Sequence, residues 1–258
     1  MDPRLESFLQ LLDIMDKLRQ ECPWDKKQTF ESLRHLTIEE TYELSEAILE
    51  KDPVSMCKEL GDLIMHIVFY AKIAEEQKDF TLQDVLEQIC KKLRFRHPHV
   101  FGDITVKDDI DVKNNWEALK LKEGNKTVLG GVPMSLPAMV KSFRIQDKAR
   151  SAGFDWEERH QVWDKVQEEI KELSQEIQEQ DKEKMEAEFG DVFFSLVNAA
   201  RLYGIDPEAA LEHTNKKFIA RFNYLESKAN QMNKPLIRMT LEEMESLWQE
   251  AKQNGNPG

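Results

Sequence analysis

Two acidic stretches, Glu168-Glu169-Ile170-Lys171-Glu172 and Glu188-Phe189-Gly190-Asp191, have the residue types and spacing to hold a metal ion. Helical positions three or four apart share a face. Glu169 and Glu172 therefore point one way from one helix, and Glu188 and Asp191 point one way from the next. Set antiparallel, the two faces would surround one pocket with four carboxylates. Like charges so spaced repel and slightly destabilise a helix, so a cation is needed to offset them. Carboxylate oxygens, with no His or Cys among them, suit a hard ion: Mg²⁺, with Mn²⁺ as a substitute.

A single E-x-x-E is ordinarily a solvated face, the more so in a chain with 33% charged residues. Here the arrangement occurs twice. Glu39-Glu40-Thr41-Tyr42-Glu43 is followed by Glu59-Leu60-Gly61-Asp62, and the steps from Glu39 to Glu168 and from Glu59 to Glu188 are both 129 residues. The apolar positions move with the acids: Leu60, Leu63, Ile64, Ile67, Val68 and Ala71 correspond to Phe189, Val192, Phe193, Leu196, Val197 and Ala200. The chain is an internal duplication, and its architecture follows from that.

Cations accompany the acids. Lys165 and Lys184 each lie four residues before an acid, Glu169 and Glu188, on the same helix faces; their equivalents Leu36 and Ser55 are uncharged. Lys216, Lys217 and Arg221 match Lys91, Lys92 and Arg96 at a displacement of 125, and Trp248 with Lys252 echoes Trp116 with Lys120. Carboxylates for a metal, cations for phosphates and a ring to stack on a base together suit a nucleoside triphosphate with Mg²⁺. A core position for Trp248 and a solvated face for Lys217 and Arg221 remain open alternatives. Covalent catalysis is not indicated: there is no P-loop and no Ser–His–Asp or Cys–His set stands out, and where a di-iron bundle uses Glu-x-x-His these acidic stretches carry Glu or Asp in place of the His. His66 follows Asp62 by four residues, but Ser195 is its equivalent, so it is not a repeated ligand. Water is the natural nucleophile. Glu168, Glu169, Glu172, Glu188 and Asp191 are the candidate catalytic acids.

The elements that must position these groups are helical throughout. Amphipathic periodicity predicts helices over about 4–20, 28–50, 54–77, 138–150, 159–179 and 181–203, with others opening after Thr81, at Asp206-Pro207 and at Thr240. Thr37 with Glu40, and Thr240 with Glu243, have capping-box spacing. Val166, Ile170, Leu173 and Ile177 read as a buried stripe, and the helix after Asp62 is apolar on most sides, so it should be buried with Glu59 and Asp62 at the core margin. Pro98 makes His97-Pro98-His99 a structural loop rather than a ligand pair. The fold class is all-α, with an N-terminal repeat over 1–122, a Gly/Pro-rich linker over 123–137, a C-terminal repeat over 138–253 and a disordered tail, 254–258. Net charge −13 argues against a general affinity for nucleic acid. No run approaches the roughly 20 apolar residues of a membrane span, and with no signal segment at the start the expected location is cytoplasmic. Cys22, Cys57 and Cys90 show no C-x-x-C spacing and read as reduced thiols.

These residues carry a resemblance. E-E-x-x-E followed by E-x-x-D is similar to the all-α nucleoside triphosphate pyrophosphohydrolases of the MazG family. So are Cys22-Pro23-Trp24-Asp25, the stretch 36–43, Gly61-Asp62, the run Arg96 to Phe101 and Gly153-Phe154-Asp155-Trp156. The likeness runs over about 5–252 and includes the two-repeat layout, so it implies two tandem MazG-like bundles of about four to five helices each. It further implies Mg²⁺-dependent cleavage of a nucleoside triphosphate to monophosphate and pyrophosphate, and a homodimer. Carried over by position, the metal ligands would be Glu169, Glu172, Glu188 and Asp191, with Glu40, Glu43, Glu59 and Asp62 in the first repeat. Lys217, Arg221, Trp248 and Lys252 match nucleotide-contacting positions. Lys171 departs from the usual polar or acidic residue, on the outer face. Base and sugar preference are left open.

Two other functions compete: a nucleotide-sensing or partner-binding helical protein with a structural metal, and a narrower dUTP or dCTP pyrophosphatase. A retired site would be expected to lose an acid, and neither half has lost one. The second half is expected to be the main catalyst, because Lys165 and Lys184 have no charged equivalents in the first.

Overall fold

Helix starts and stops explain the framework. In the computed structural model, which describes residues 2–102 and 127–253, every regular element is helical. The chain divides into two compact units, Met1–Val112 and Lys113–Gly258. Trp116 and Lys120, part of the expected linker (123–126) and the tail 254–258 lie outside the described residues.

In the first unit, helix α1 (Pro3–Glu21) begins with Pro3 at its first position and Asp2 accepting from the Arg4 amide at 2.9 Å. Helix α2 spans Phe30–Glu50 and α3 Pro53–Gln77. Only Lys51 and Asp52 separate them. Lys51 is left-handed (φ 56°) and ends α2, while Asp52 accepts from the Val54 and Ser55 amides and starts α3. So short a link folds the two helices into an antiparallel hairpin. Helix α4 (Leu82–Arg96) opens with a Thr81/Asp84 capping box. The core is Met15, Leu33, Val68, Phe69 and Ile73.

The second unit repeats the hairpin closely. After α6 (Ala138–Ser151; the short α5, Pro98–Phe101, belongs to the first unit), α7 (Gln161–Glu179) ends at left-handed Gln180 (φ 57°), and Asp181 caps α8 (Lys182–Leu202). Gln180 and Asp181 stand 129 residues after Lys51 and Asp52, so the duplication extends to the conformation of the turn. Helix α9 (Pro207–Gln231) is capped by Asp206 and packs on α10 (Leu241–Gln253). The expected Thr240/Glu243 capping box forms, at 2.9 and 3.3 Å. Val162, Val166 and Ala199 make the core of the α7–α8 pair.

Several expectations change. Thr37 and Glu40 form no capping box: α2 starts two turns earlier, where Thr29 and Ser32 form one. The core side of α7 runs through Val162, Val166, Glu169 and Leu173, while Ile170 and Ile177 are both 47% exposed. The stripe is thus rotated to place an acid, Glu169, against the partner helix. In α3, Val68 and Phe69 are buried, but Leu60, Ile64 and Ile67 are exposed, because the hairpin covers only one side. Pro98 opens α5, a single helical turn (Pro98–Phe101), since proline suits a first helical position; His97 contacts the Leu93 carbonyl at 2.7 Å. Cys22, Cys57 and Cys90 are unpaired. No described helix is long and apolar enough to cross a membrane.

Candidate metal centres

Each hairpin brings acids from both of its helices together. Glu40 and Glu43 on α2 meet Glu59 on α3; Glu169 and Glu172 on α7 meet Glu188 on α8. In each trio one carboxylate oxygen per residue lies within 4.8 Å of the others. Asp62 and Asp191 complete the expected sets as nearby charges rather than members of the close trios. Asp62 acts on Glu40, and Asp191 on Glu188.

Glu59 and Glu169 are buried, and one carboxylate oxygen of Glu59 and one of Glu188 are buried without a hydrogen-bond partner. Buried polar atoms are almost always satisfied, and an orphaned carboxylate oxygen is costly. Burial, then the charges of Asp62, Glu43 and Glu59, raises the Glu40 carboxyl above the usual carboxylate range. Glu188 is raised in the same way, by burial and then by Glu172, Asp191, Glu169 and Glu176. An all-oxygen donor set with unsatisfied, mutually repelling carboxylates fits Mg²⁺ or Mn²⁺.

A lysine sits on each trio, and it comes from different helices. Lys165 of α7 pairs with Glu169 at 2.8 Å and Glu168 at 3.0 Å, which holds its ammonium well above the ordinary lysine range. In the first unit Lys58 of α3 pairs with Glu59 at 3.0 Å and lies 3.9 Å from Glu43. The expected contrast, with cations beside the acids in the second half alone, is therefore corrected. Lys58 escapes a comparison made from Lys165, because Leu36 stands at the equivalent of Lys165 and Ala187 at that of Lys58. Reading the duplication from both ends would have shown it. In each unit the lysine neutralises one inner acid, Glu59 or Glu169, and the acid with the raised pKa is on the opposite helix.

Lys184 is not on Glu188. Its ammonium lies 3.6 Å from both Glu176 and Asp181, because Asp181 caps its own helix one turn away. Glu176 was also missed as a neighbour of the site: it extends the ladder one turn beyond Glu172, and its equivalent is Ala47. Glu168 is exposed and held by Lys165.

The cations and ring of the second unit fall on the packed pair α9–α10. The Trp248 ring lies 5.0 Å from Phe218, and the Arg221 guanidinium stands 5.8 Å from the Trp248 ring centre. Trp248 is therefore both a packing residue and a platform for a cation. The Arg221 Nε is buried with no hydrogen-bond partner. Lys217 and Lys252 are exposed.

Comparison with known proteins agrees with this geometry. The model of the MazG nucleotide pyrophosphohydrolase domain matches residues 28–101 and 157–225, one segment per hairpin. Trp248 and Lys252 lie beyond the second segment. The chain is 41% identical over 250 residues, 95% of each chain, to the nucleoside triphosphate pyrophosphohydrolase/pyrophosphatase MazG of Thermotoga maritima. It is 40% identical over 252 residues to the nucleoside triphosphate pyrophosphohydrolase of Escherichia coli, covering 94% of this chain and 96% of that one. It is also 48% identical over 236 residues to the uncharacterized protein YabN of Bacillus subtilis, covering 90% of this chain and 48% of that one. Two hairpins with one acidic trio each, matched by one family segment each, lead to one conclusion: the chain belongs to the MazG nucleotide pyrophosphohydrolase family.

Proposed function

We propose that the chain hydrolyses nucleoside triphosphates to monophosphate and pyrophosphate, in the manner its relatives' names describe, as part of clearing surplus or non-standard nucleotides in the cytoplasm. The observation that carries this is the acidic trio at each α-hairpin, with buried carboxylate oxygens that have no partner. Glu169, Glu172, Glu188 and Asp191 would hold Mg²⁺, as would Glu40, Glu43, Glu59 and Asp62 in the first unit. When bound, the ion offsets the phosphate charge that develops during cleavage. The chain supplies the rest. Lys165 and Lys217 face phosphate, and Arg221 and Trp248 hold the remaining phosphate charge and the base. Water attacks the α phosphorus, the bond to the α–β bridging oxygen breaks, and pyrophosphate leaves. A carboxylate takes the water's proton; Glu168, outside the trio and held in place by Lys165, is suited to that role. Purified protein incubated with mixed triphosphates and Mg²⁺ should release pyrophosphate. Release of orthophosphate alone would show that a different bond is cut.

The working unit in this reading is a homodimer. Leu60, Ile64 and Ile67 are 50%, 45% and 51% exposed, and their equivalents Phe189, Phe193 and Leu196 are 43%, 59% and 40% exposed. The same apolar helix face is left open in both repeats, and such a face is ordinarily covered by a partner. Phe193→Asp should halve the mass seen by sedimentation velocity. A wild-type chain that sediments as a monomer would overturn this part of the proposal.

A further inference from the structure

The first unit contains a half-buried polar cross-link whose residues are not repeated in the second. The Thr37 hydroxyl, on α2, lies 2.8 Å from His66 Nδ1 and 2.7 Å from the Tyr70 hydroxyl, both on α3, and 3.1 Å from the Leu33 carbonyl. One assignment satisfies all three contacts at once: Thr37 donates to Leu33, and His66 Nδ1–H and the Tyr70 hydroxyl donate to Thr37. His66 then carries a proton on Nδ1. Burial, opposed by Asp62, lowers its pKa. Tyr70 is held in turn by stacking on Phe30, with ring centres 5.9 Å apart.

The position of this cross-link matters. Thr37 stands one turn before Glu40 on α2, and His66 one turn after Asp62 on α3. The link therefore ties the helices together directly beneath the first acidic trio, whose charges push them apart. In the second unit the equivalents are Val166, Ser195 and Ala199. Val166 and Ala199 are core residues, and the Ser195 hydroxyl bonds to Val192 on its own helix. Directly beneath its acids that hairpin is closed by apolar packing among the described residues, and its polar link, Trp163 Nε1 donating to the Tyr203 hydroxyl at 3.2 Å, lies one turn further from them.

We infer that Thr37, His66 and Tyr70 form a positioning network that sets the spacing of the first acidic trio and thereby its affinity for a divalent cation. The network belongs to the first unit only. The inference rests on the reading that this trio holds a cation. Thr37 itself touches no ligand carboxylate; it acts through the helix spacing. Replacing Thr37 by valine, the residue the duplication carries at the same place, keeps the shape and removes the shared acceptor. The buried His66 would then lose the acceptor for its N–H and the half-buried Tyr70 hydroxyl would lose its partner on α2, and the hairpin must shift to resolve them.

The test uses the full chain with Glu169→Gln/Glu172→Gln, so that the first trio is the metal centre observed, and Mn²⁺ alone as the probe in an electron paramagnetic resonance titration. Adding Thr37→Val should weaken Mn²⁺ binding about tenfold, in line with the effect of groups that orient metal ligands. Thr37→Ser, which keeps the hydroxyl, should restore the parental affinity, a rescue that a loss of bulk packing would not give. Tyr70→Phe, which leaves the aromatic stack intact, should give a smaller loss, and it decides the matter should Thr37→Val fail to fold. Parental affinity in both Thr37→Val and Tyr70→Phe overturns the network. A parent that binds no Mn²⁺ overturns instead the reading of the first trio as a cation site, and the network's role with it.

Discussion

Glu188→Gln is expected to lower turnover at least a hundredfold while leaving the fold intact. Groups that merely orient a metal ligand are worth about 10–100-fold in affinity or activity, and Glu188 is placed here as a ligand itself. Its carboxylate is half-buried, has an oxygen without a partner, and is crowded by Glu172, Asp191, Glu169 and Glu176. A structural role predicts the opposite pattern, in which stability falls and activity falls with it. The direction of the stability effect follows from the raised pKa. In the folded chain above that pKa the Glu188 charge opposes folding; in the unfolded chain it does not. Removing the charge should therefore leave the chelator-treated protein equally or more stable at neutral pH. The difference should close as pH falls through the raised value, where the wild-type carboxyl takes up a proton in the folded state. Urea unfolding of both proteins at a series of pH values, beside a pyrophosphate assay, measures both effects. Glu172→Gln and Asp191→Asn should lose activity in the same way. A Glu188→Gln protein that is less stable at neutral pH, and that loses activity only as far as it unfolds, would place this acid in the fold rather than in the chemistry.

The hairpins were legible because their signals are local and occur twice. E-x-x-E and E-x-x-D state which face each helix turns to its partner, and the displacement of 129 residues ties Lys51-Asp52 to Gln180-Asp181, where the left-handed residue and the capping Asp set the turn. What escaped depends on packing across helices. The start of α2 was placed within two residues, but Thr37 and Glu40, which have the spacing of a capping box, form none, because the helix is already under way there and the Thr37 hydroxyl is occupied by Leu33, His66 and Tyr70. The buried side of α7 was misplaced because periodicity ranks isoleucine above glutamate, and here Glu169 faces inward while Ile170 and Ile177 face out. Burial of an acid is recoverable only from what it meets, in this case Lys165 and the opposing carboxylates. Lys58 was missed for a related reason. It reaches Glu43 on the neighbouring helix, and spacing along one helix cannot report on that contact.

The two units are expected to contribute unequally, with the second as the main catalyst. A missing cation is not the reason, since Lys58 serves the first trio as Lys165 serves the second. The units differ in where each lysine stands and in what surrounds it. Lys165 bridges Glu169 and Glu168, an inner acid and an outer one, and so lies at the mouth of its trio with a spare carboxylate beside it. Lys58 bridges Glu59 and Glu43, both members of the trio, and brings no further acid with it. The second unit also holds Arg221 beside Trp248, with the Nε buried and unpartnered. Stabilising the charge that develops on the phosphates, and fixing the base, are most of what a protein does in phosphoryl transfer. Glu169→Gln/Glu172→Gln should therefore remove nearly all pyrophosphate release. Glu40→Gln/Glu43→Gln should leave most of it, with the larger change in the metal content of the protein. Both double variants are to be assayed on the same panel of triphosphates, with bound Mn²⁺ counted for each. Equal losses of activity, or a larger loss from the first-unit pair, would show that the first hairpin is the catalyst or its equal.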